Sequence, residues 1–384
     1  MRDVKLVLSN GTVFRGKSFG YDAPVAGEVV FNTAMMGYPE SLTDPSYAGQ
    51  IMVLTYPLVG NYGVPPHLIG GERSEVSGQR IAGLEEFFES DRIWVSALIV
   101  GDYSASGYSH WNACESLADW LIREKVPGVT GIDTRALTKV LREQGVMMGK
   151  LVFEDNGANE SGANESNGAN ESNEPHESQD YGSINWVAQV SCKDVIRYNE
   201  GAGRKVVLVD CGVKANIIRC LVNRGVEVIR VPWNYDYTAM DFDGLFLANG
   251  PGDPDMCEDA VQIIRKQMSM SRKPICGICM GNQLLAKASG ATIYKLKYGH
   301  RSHNQPVREV GTNHCYVTSQ NHGYAVDALT LGKDWRELFV NMNDGSNEGI
   351  CHQTNPWFSS QFHPEACSGP VDTEFMFDRF IAAL

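Results

Sequence analysis

Two patterns of apolar and polar positions divide the chain. Beyond residue 204, short continuous apolar runs alternate with helical ones. Lys205-Val206-Val207-Leu208-Val209-Asp210 reads as a buried strand, 214–224 as a helix, and Val226-Glu227-Val228-Ile229-Arg230-Val231 as the next strand. The alternation runs to Gly290, a helix stop. Such a pattern predicts a doubly wound, mostly parallel sheet, whose ligands sit beyond the strands' C-terminal ends. Before residue 154, strands such as Lys5-Leu6-Val7-Leu8 and Ile51-Met52-Val53-Leu54-Thr55 mix with helices over 117–124 and 134–144, which predicts an α+β domain. The last helix, over 373–383, carries Phe377, Phe380, Ile381 and Leu384 at helical spacing, an apolar face with no packing partner named by the pattern.

The strand read over Lys273-Pro274-Ile275-Cys276 leads into Gly277-Ile278-Cys279-Met280-Gly281-Asn282-Gln283, and a helix follows. Glycines two before and two after Cys279 remove the Cβ atoms that would clash in a sharp strand-to-helix elbow, the geometry that presents a nucleophile. At a helix N-terminus the sulfur meets the positive end of the dipole, and the first helix amides form a ready oxyanion hole. A base is available downstream. The strand Trp357-Phe358-Ser359-Ser360-Gln361-Phe362 delivers His363, Pro364 stops it, and Glu365 is near enough to hold one imidazole nitrogen. A third segment, Leu245-Phe246-Leu247-Ala248-Asn249-Gly250-Pro251-Gly252-Asp253-Pro254, ends another buried strand in bare backbone that a ligand can approach closely.

Taken together, G-x-C-x-G-x-Q, N-G-P-G-D-P and H-P-E resemble a class I (triad) glutamine amidotransferase. The N-terminal segments Gly27-Glu28-Val29-Val30-Phe31-Asn32-Thr33-Ala34-Met35-Met36-Gly37-Tyr38-Pro39-Glu40, Thr43-Asp44-Pro45-Ser46-Tyr47-Ala48-Gly49-Gln50 and Gly131-Ile132-Asp133-Thr134-Arg135 are similar to the small, glutamine-hydrolysing subunits of carbamoyl-phosphate synthetases. The resemblance covers nearly the whole chain. It implies an α/β protein, with a flavodoxin-like C-terminal sheet and an N-terminal swivelling β/β/α domain. It implies that Cys279 attacks the side-chain amide of glutamine, His363 shuttles the proton and Glu365 orients His363. Ser46, Gly250, Gly252, Met280, Gln283, Asn321, Gly323 and Tyr324 fall where the family contacts glutamine, Ser46 reaching in from the first domain, with Gly252 and Met280 amides as oxyanion donors. The implied partner is a large subunit that binds ATP with Mg2+ and bicarbonate and receives ammonia through a tunnel to make carbamoyl phosphate for arginine and pyrimidine synthesis. Oligomers of heterodimers are expected. This chain itself would hold no cofactor and no metal.

Some positions depart from the family pattern. Asn282 stands where histidine is usual and Tyr324 where phenylalanine is common, while Cys276 replaces a larger apolar residue and makes a C-x-x-C with Cys279. That pair leaves a thiol-disulfide exchange reading open, although Cys276 also reads as a small buried hydrophobe. A noncatalytic glutamine-binding scaffold is the other alternative. His300, His303, His314, His322 and His352 lack ligand spacing and read as solvated or locally hydrogen-bonded, His322 being the exception to watch because it sits between Asn321 and Gly323.

Composition narrows the class. The 384 residues suit two domains, expected at 1–153 and 204–384, with a linker at 181–203. Ten scattered cysteines, with no signal peptide and no apolar run of membrane length, predict a cytoplasmic protein with free thiols. The net charge of −13 argues against nucleic acid or an anionic membrane as partner. Residues 154–180 carry eight of the acidic groups and no lysine or arginine, in near-repeats of Gly-Ala-Asn-Glu-Ser. That tract cannot bury enough surface to offset its ordering entropy and reads as a disordered, solvated insert, so deleting 157–172 should leave catalysis intact. Neither G-x-x-x-x-G-K-[ST] nor G-x-G-x-x-G occurs, so no phosphate-cradling loop is visible.

Overall fold

The structure is a computed structural model that describes residues 1–66, 83–154 and 180–384; the acidic repeat tract and the reading made of it lie outside the described residues. Packing separates two compact units. The first comprises Met1–Phe31, Gly49–Val64 and Val95–Ser183, and the second Asn32–Ala48, Pro65–Trp94 and Ile184–Leu384. The units are therefore discontinuous in sequence, and the segment bearing Ser46 packs with the C-terminal one. Residues 181–203, expected as a linker, carry the helix Trp186–Val190 and the strand Ile196–Tyr198, an antiparallel edge to Glu227–Pro232.

In the first unit seven strands close into a barrel, in the order Asp3–Leu8, Val13–Ser18, Gly128–Thr130, Ala97–Tyr103, Gln50–Val59, Val25–Asn32 and Met147–Phe153. Alternation places Val4, Leu6 and Leu8 in its core. Both predicted helices form, as Leu117–Arg123 and Thr134–Gln144. Ser116 and Asp133 cap them by accepting the amides of Asp119 and Ala136, which would otherwise lack an acceptor.

The second unit is built on a ten-stranded sheet. Its centre is parallel, in the order Trp357–Ser360, Ile275–Ile278, Gly244–Leu247, Lys205–Asp210 and Glu227–Pro232. Antiparallel strands extend one side through Asn347–His352, Trp335–Asn341, Ile293–Glu309 and Cys315–Val326. The parallel strands are buried on both faces, which explains their uninterrupted apolar runs. The terminal helix Phe375–Ala383 finds its partner here: Phe377 stacks on Phe246 at 5.6 Å and Phe380 meets it edge-on at 5.2 Å. Among the described residues no helix is long and apolar enough to cross a membrane.

Candidate active site

Three parallel strands of the second unit end side by side, and the chemistry follows from what each chain segment does next. After Ile275–Ile278 the backbone turns through Cys279, at φ 55° and ψ −104°, into the helix Met280–Ser289. A non-glycine residue in such a conformation is strained and must be held by its surroundings. The Cys279 amide donates to the Ser360 carbonyl at 2.9 Å, and its own carbonyl accepts from the Gln283 amide at 3.2 Å. The flanking glycines are obligatory. A Cβ on Gly281 would lie 2.1 Å from the Leu247 carbonyl oxygen, and one on Gly277 would lie 2.6 Å from the Gly281 backbone.

The sulfur of Cys279 donates to the Asn321 carbonyl at 3.6 Å. Beside it stands His363, whose Nδ1 is 2.6 Å from Glu365 Oε1 and whose Nε2 makes no well-formed hydrogen bond among the described residues, with the Cys279 thiol next to it. Burial alone would disfavour the imidazolium, but the Glu365 carboxylate and the neighbouring Cys279 outweigh it and raise His363 to about 10. Glu365 is fully buried too. Burial pushes it up, yet Lys214 and His363 prevail and hold it at about 2, so it remains a carboxylate. Lys214 is the residue the sequence did not offer: its Nζ lies 3.1 Å from Glu365 Oε1 and also donates to the Ala366 carbonyl. Both side chains are almost wholly excluded from water, where effective attraction at such range is on the order of 4 kcal/mol. Lys214 therefore fixes the charge and the position of the carboxylate that in turn fixes His363. A cavity of about 20 Å³ opens on this side, lined by Asp44, Lys214, His303, Asn321, His363 and Cys367 among others, with room for a water. His303 is pushed down to about 4 by burial and by the Lys214 and His363 charges, so it stays neutral there.

The residues expected to contact substrate are brought together around this elbow. Ser46 Oγ accepts from Asn249 Nδ2 at 2.8 Å, which ties it to the residue before Gly250. Asp44 accepts from the Ser46 amide at 2.8 Å and from Asn321 Nδ2 at 3.2 Å, joining two expected ligands through one carboxylate. Gln283 Nε2 donates to the Tyr324 carbonyl and to Gln361 Oε1, both at 3.2 Å. The Tyr324 hydroxyl donates to Asp253 at 3.0 Å, beside Gly252, whose φ of 85° only glycine adopts freely. Gly323 lies between Asn321 and Tyr324 on the strand Cys315–Val326, and Met280 is the first residue of the elbow helix, where amides lack intrahelical acceptors. Asp44 and Asn249 were visible inside the motifs, but their role needed the partner side chains.

Three departures from the family pattern have a physical account. Asn282 is buried and satisfied at both ends, donating to Gln361 Oε1 at 2.9 Å and accepting from Ser359 Oγ at 2.7 Å. The phenol of Tyr324 gains the Asp253 contact that phenylalanine would lack. Cys276 sits in the same apolar cluster as Phe246, Phe358 and Phe377, and burial raises its thiol far above the ordinary range, the environment of an inert core cysteine.

Residues 207–383 match the family model "Glutamine amidotransferase class-I", and residues 6–151 match "Carbamoyl-phosphate synthase small chain, CPSase domain". The chain is 48% identical over 382 residues to the "Carbamoyl phosphate synthase arginine-specific small chain" of Chaetomium globosum, which covers 99% of this chain and 78% of that one. It is 47% identical over 402 residues to "Multifunctional protein ura1" of Schizosaccharomyces pombe, covering 99% of this chain but spanning only 17% of that protein's length. Identity is 45% over 380 residues with a mitochondrial carbamoyl-phosphate synthase of Homo sapiens whose name specifies ammonia, again with 99% of this chain and 23% of the relative covered.

Proposed function

The chain belongs to the carbamoyl-phosphate synthase small chain family, and on that premise we propose that it hydrolyses L-glutamine at Cys279 and supplies the ammonia to a carbamoyl-phosphate synthetase large subunit. Likeness by itself does not choose between glutamine and free ammonia as the nitrogen source, because a relative at 45% identity is named for ammonia. The observation that carries the choice is the elbow: a strained Cys279 beside a histidine whose second nitrogen is held by a buried carboxylate.

The proposed chemistry follows the proton. Cys279 first passes its proton to His363, whose imidazolium the Glu365 carboxylate stabilises, and the sulfur then attacks the side-chain carbonyl carbon of glutamine. The negative charge that develops on the carbonyl oxygen is met by the Gly252 and Met280 amides. His363 then protonates the departing nitrogen, ammonia leaves, and a γ-glutamyl thioester remains on Cys279. Water, deprotonated by His363, attacks the thioester and releases glutamate with the thiol restored. Ser46, Asn321, Gly323 and Tyr324, with Gly250 and Gln283, hold the amino-acid portion of the substrate. No metal or cofactor takes part in this half of the reaction. ATP, Mg2+ and bicarbonate belong to the large subunit, whose carbamoyl phosphate serves arginine and pyrimidine synthesis, in a cytoplasmic assembly of heterodimers.

Glutamate release from glutamine, with and without the large subunit, ATP and bicarbonate, tests the reading. Wild type should release glutamate, more rapidly in the turning-over assembly, and Cys279→Ser should release none. Equal inertness of both proteins in the complete assembly would leave a noncatalytic scaffold instead.

A further inference from the structure

A second group of buried ligating atoms lies outside the triad. His300 and His322 are register partners across the hairpin of Ile293–Glu309 and Cys315–Val326, with ring centroids 4.9 Å apart at 89°. Glu348 joins them from the strand Asn347–His352. Neither ring is solvated; they are 8% and 4% exposed, and Glu348 is 0% exposed. One ligating atom from each of the three residues lies within 4.8 Å of the other two.

Both rings are held as metal-bound imidazoles are held, with the nitrogen away from the ion donating to a carboxylate or a backbone carbonyl. His300 Nε2 is 2.9 Å from Asp344 Oδ2, and His322 Nδ1 is 2.8 Å from the Tyr324 carbonyl. His300 Nδ1 and His322 Nε2 are left over. The first makes no well-formed hydrogen bond among the described residues and has Glu348 Oε1 at 3.5 Å. Glu348 Oε2 has no hydrogen-bond partner among the described residues either, while Asn341 Nδ2 holds Oε1 at 2.8 Å. His322 Nε2 is 3.1 Å from the carboxamide oxygen of Gln320. That oxygen is set by its neighbour: Thr318 Oγ1 donates to the Gln305 carbonyl at 2.9 Å and so accepts from Gln320 Nε2 at 3.1 Å. With the ring hydrogen on Nδ1, a lone pair of His322 faces a lone pair of Gln320.

We propose that His300 Nδ1, His322 Nε2, Glu348 and Gln320 Oε1 form a binding site for a divalent first-row transition cation. A second proton on His322 would answer Gln320 alone and leave Glu348 Oε2 and His300 Nδ1 as they are, whereas a cation answers all four. Two imidazoles disfavour Mg2+ and Ca2+, which take oxygen ligands, and suit zinc or its neighbours. Ligands around a tetrahedral ion with bonds near 2.0 Å stand about 3.3 Å apart. The spacings of 3.1 Å and 3.5 Å straddle that value, and the widest pair has to close by at most about 1.5 Å. A proton on His300 leaves as the ion enters. The Asp344 side chain is 43% exposed, so the site lies one side chain beneath the surface, within reach of a dissolved ion. Four protein ligands make it a closed, structural site. The ion would tie the hairpin to the strand Asn347–His352, from which Trp335–Asn341 separates it in the sheet, and it supplies no step of glutamine hydrolysis.

Cobalt is the probe, because its absorption distinguishes nitrogen and oxygen ligands from the thiolates of the ten cysteines. The whole chain, stripped with EDTA and kept reduced, is titrated with Co2+. Wild type should bind one equivalent with the visible bands of nitrogen and oxygen coordination and without sulfur-to-cobalt charge transfer. Zinc should displace the cobalt one for one and raise the midpoint of thermal unfolding. His300→Asn and Glu348→Gln should abolish the saturable site. Asp344→Asn, which acts on the ion only through His300, should weaken it roughly 10- to 100-fold. No saturable spectrum in wild type, sulfur charge-transfer bands, or an unchanged spectrum and affinity in folded His300→Asn would each overturn the proposal. Should the variants fail to fold, the wild-type titration decides alone: one equivalent with nitrogen and oxygen bands sustains the site, and any other result refutes it. None of these readouts depends on glutamate release, so the proposal and the glutaminase reading stand or fall separately.

Discussion

His363 and His300 are built alike and placed differently. Each is buried, each has one ring nitrogen within 2.9 Å of a carboxylate, and each is raised well above the ordinary histidine range. What separates them is the other nitrogen. Among the described residues neither ring's other nitrogen makes a well-formed hydrogen bond, but that of His363 has the Cys279 thiol beside it, so a proton placed there can move to a reacting group. That of His300 has Glu348 Oε1 at 3.5 Å, an ion-pair distance and not a hydrogen bond, so a proton there lies between two anions with no reacting group beside it. A histidine–carboxylate pair is thus no signature of catalysis; the chemistry is decided by what the free side of the ring meets.

The largest effect that could break this comparison comes from exchanging the two rings for asparagine. His363→Asn should lower kcat for glutamate release by several orders of magnitude, as loss of a triad member does, while His300→Asn, with no reacting group beside the ring, should leave kcat nearly unchanged. Equal kcat losses would erase the distinction. Next comes Lys214→Met, which leaves Glu365 buried with one cation fewer; unfolding free energy should fall by about 3–5 kcal/mol in chemical denaturation, with activity falling as well. A loss under about 1 kcal/mol would show that Lys214 does not hold Glu365 in place.

A smaller effect is expected at Asn282. Asn282→Ala removes two buried hydrogen bonds, leaving Gln361 Oε1 with Gln283 Nε2 and Ser359 Oγ with the Ile350 carbonyl, and should cost about 1–3 kcal/mol of stability, with little change in kcat. A large kcat loss would place Asn282 in the chemistry. The gentlest test is pH. His363 is raised from 6.5 to about 10, so its contribution to stability is complete below pH 6.5 and disappears as pH rises through 10. Glu365 is lowered from 4.5 to about 2, so its contribution is complete above pH 4.5 and disappears as pH falls through 2. Denaturation midpoints of wild type minus those of the His363→Asn, Glu365→Gln double variant should be greatest between pH 4.5 and 6.5 and shrink toward pH 9. A difference independent of pH would contradict the pairing.

The same contrast explains what could be read from the sequence. The triad was legible because it is local: glycines bracket Cys279, and His363 and Glu365 are separated by one proline at a strand's end. The parallel strands were legible because burial on both faces makes them continuously apolar. Lys214 was not, since nothing in its neighbourhood distinguishes a lysine buried on a distant carboxylate from one in water. His300 met Asp344 and Glu348 only through folding of the antiparallel extension, so its solvated reading gave way to a buried one. Barrel closure in the first unit was equally hidden, because Gly128–Thr130, three residues long, is too short to show a period. The terminal helix displayed its apolar face in sequence, while Phe246 as its partner required the fold.

The central claim is that Cys279 carries the glutamyl group during turnover. Rapid acid quenching of the protein with glutamine, followed by mass spectrometry of the peptide containing Cys279, tests it most directly. A γ-glutamyl adduct on Cys279 that forms within the first turnover and is absent from Cys279→Ser is the expected result. Glutamate released at the wild-type rate by Cys279→Ser, with no adduct on the wild-type peptide, would contradict it.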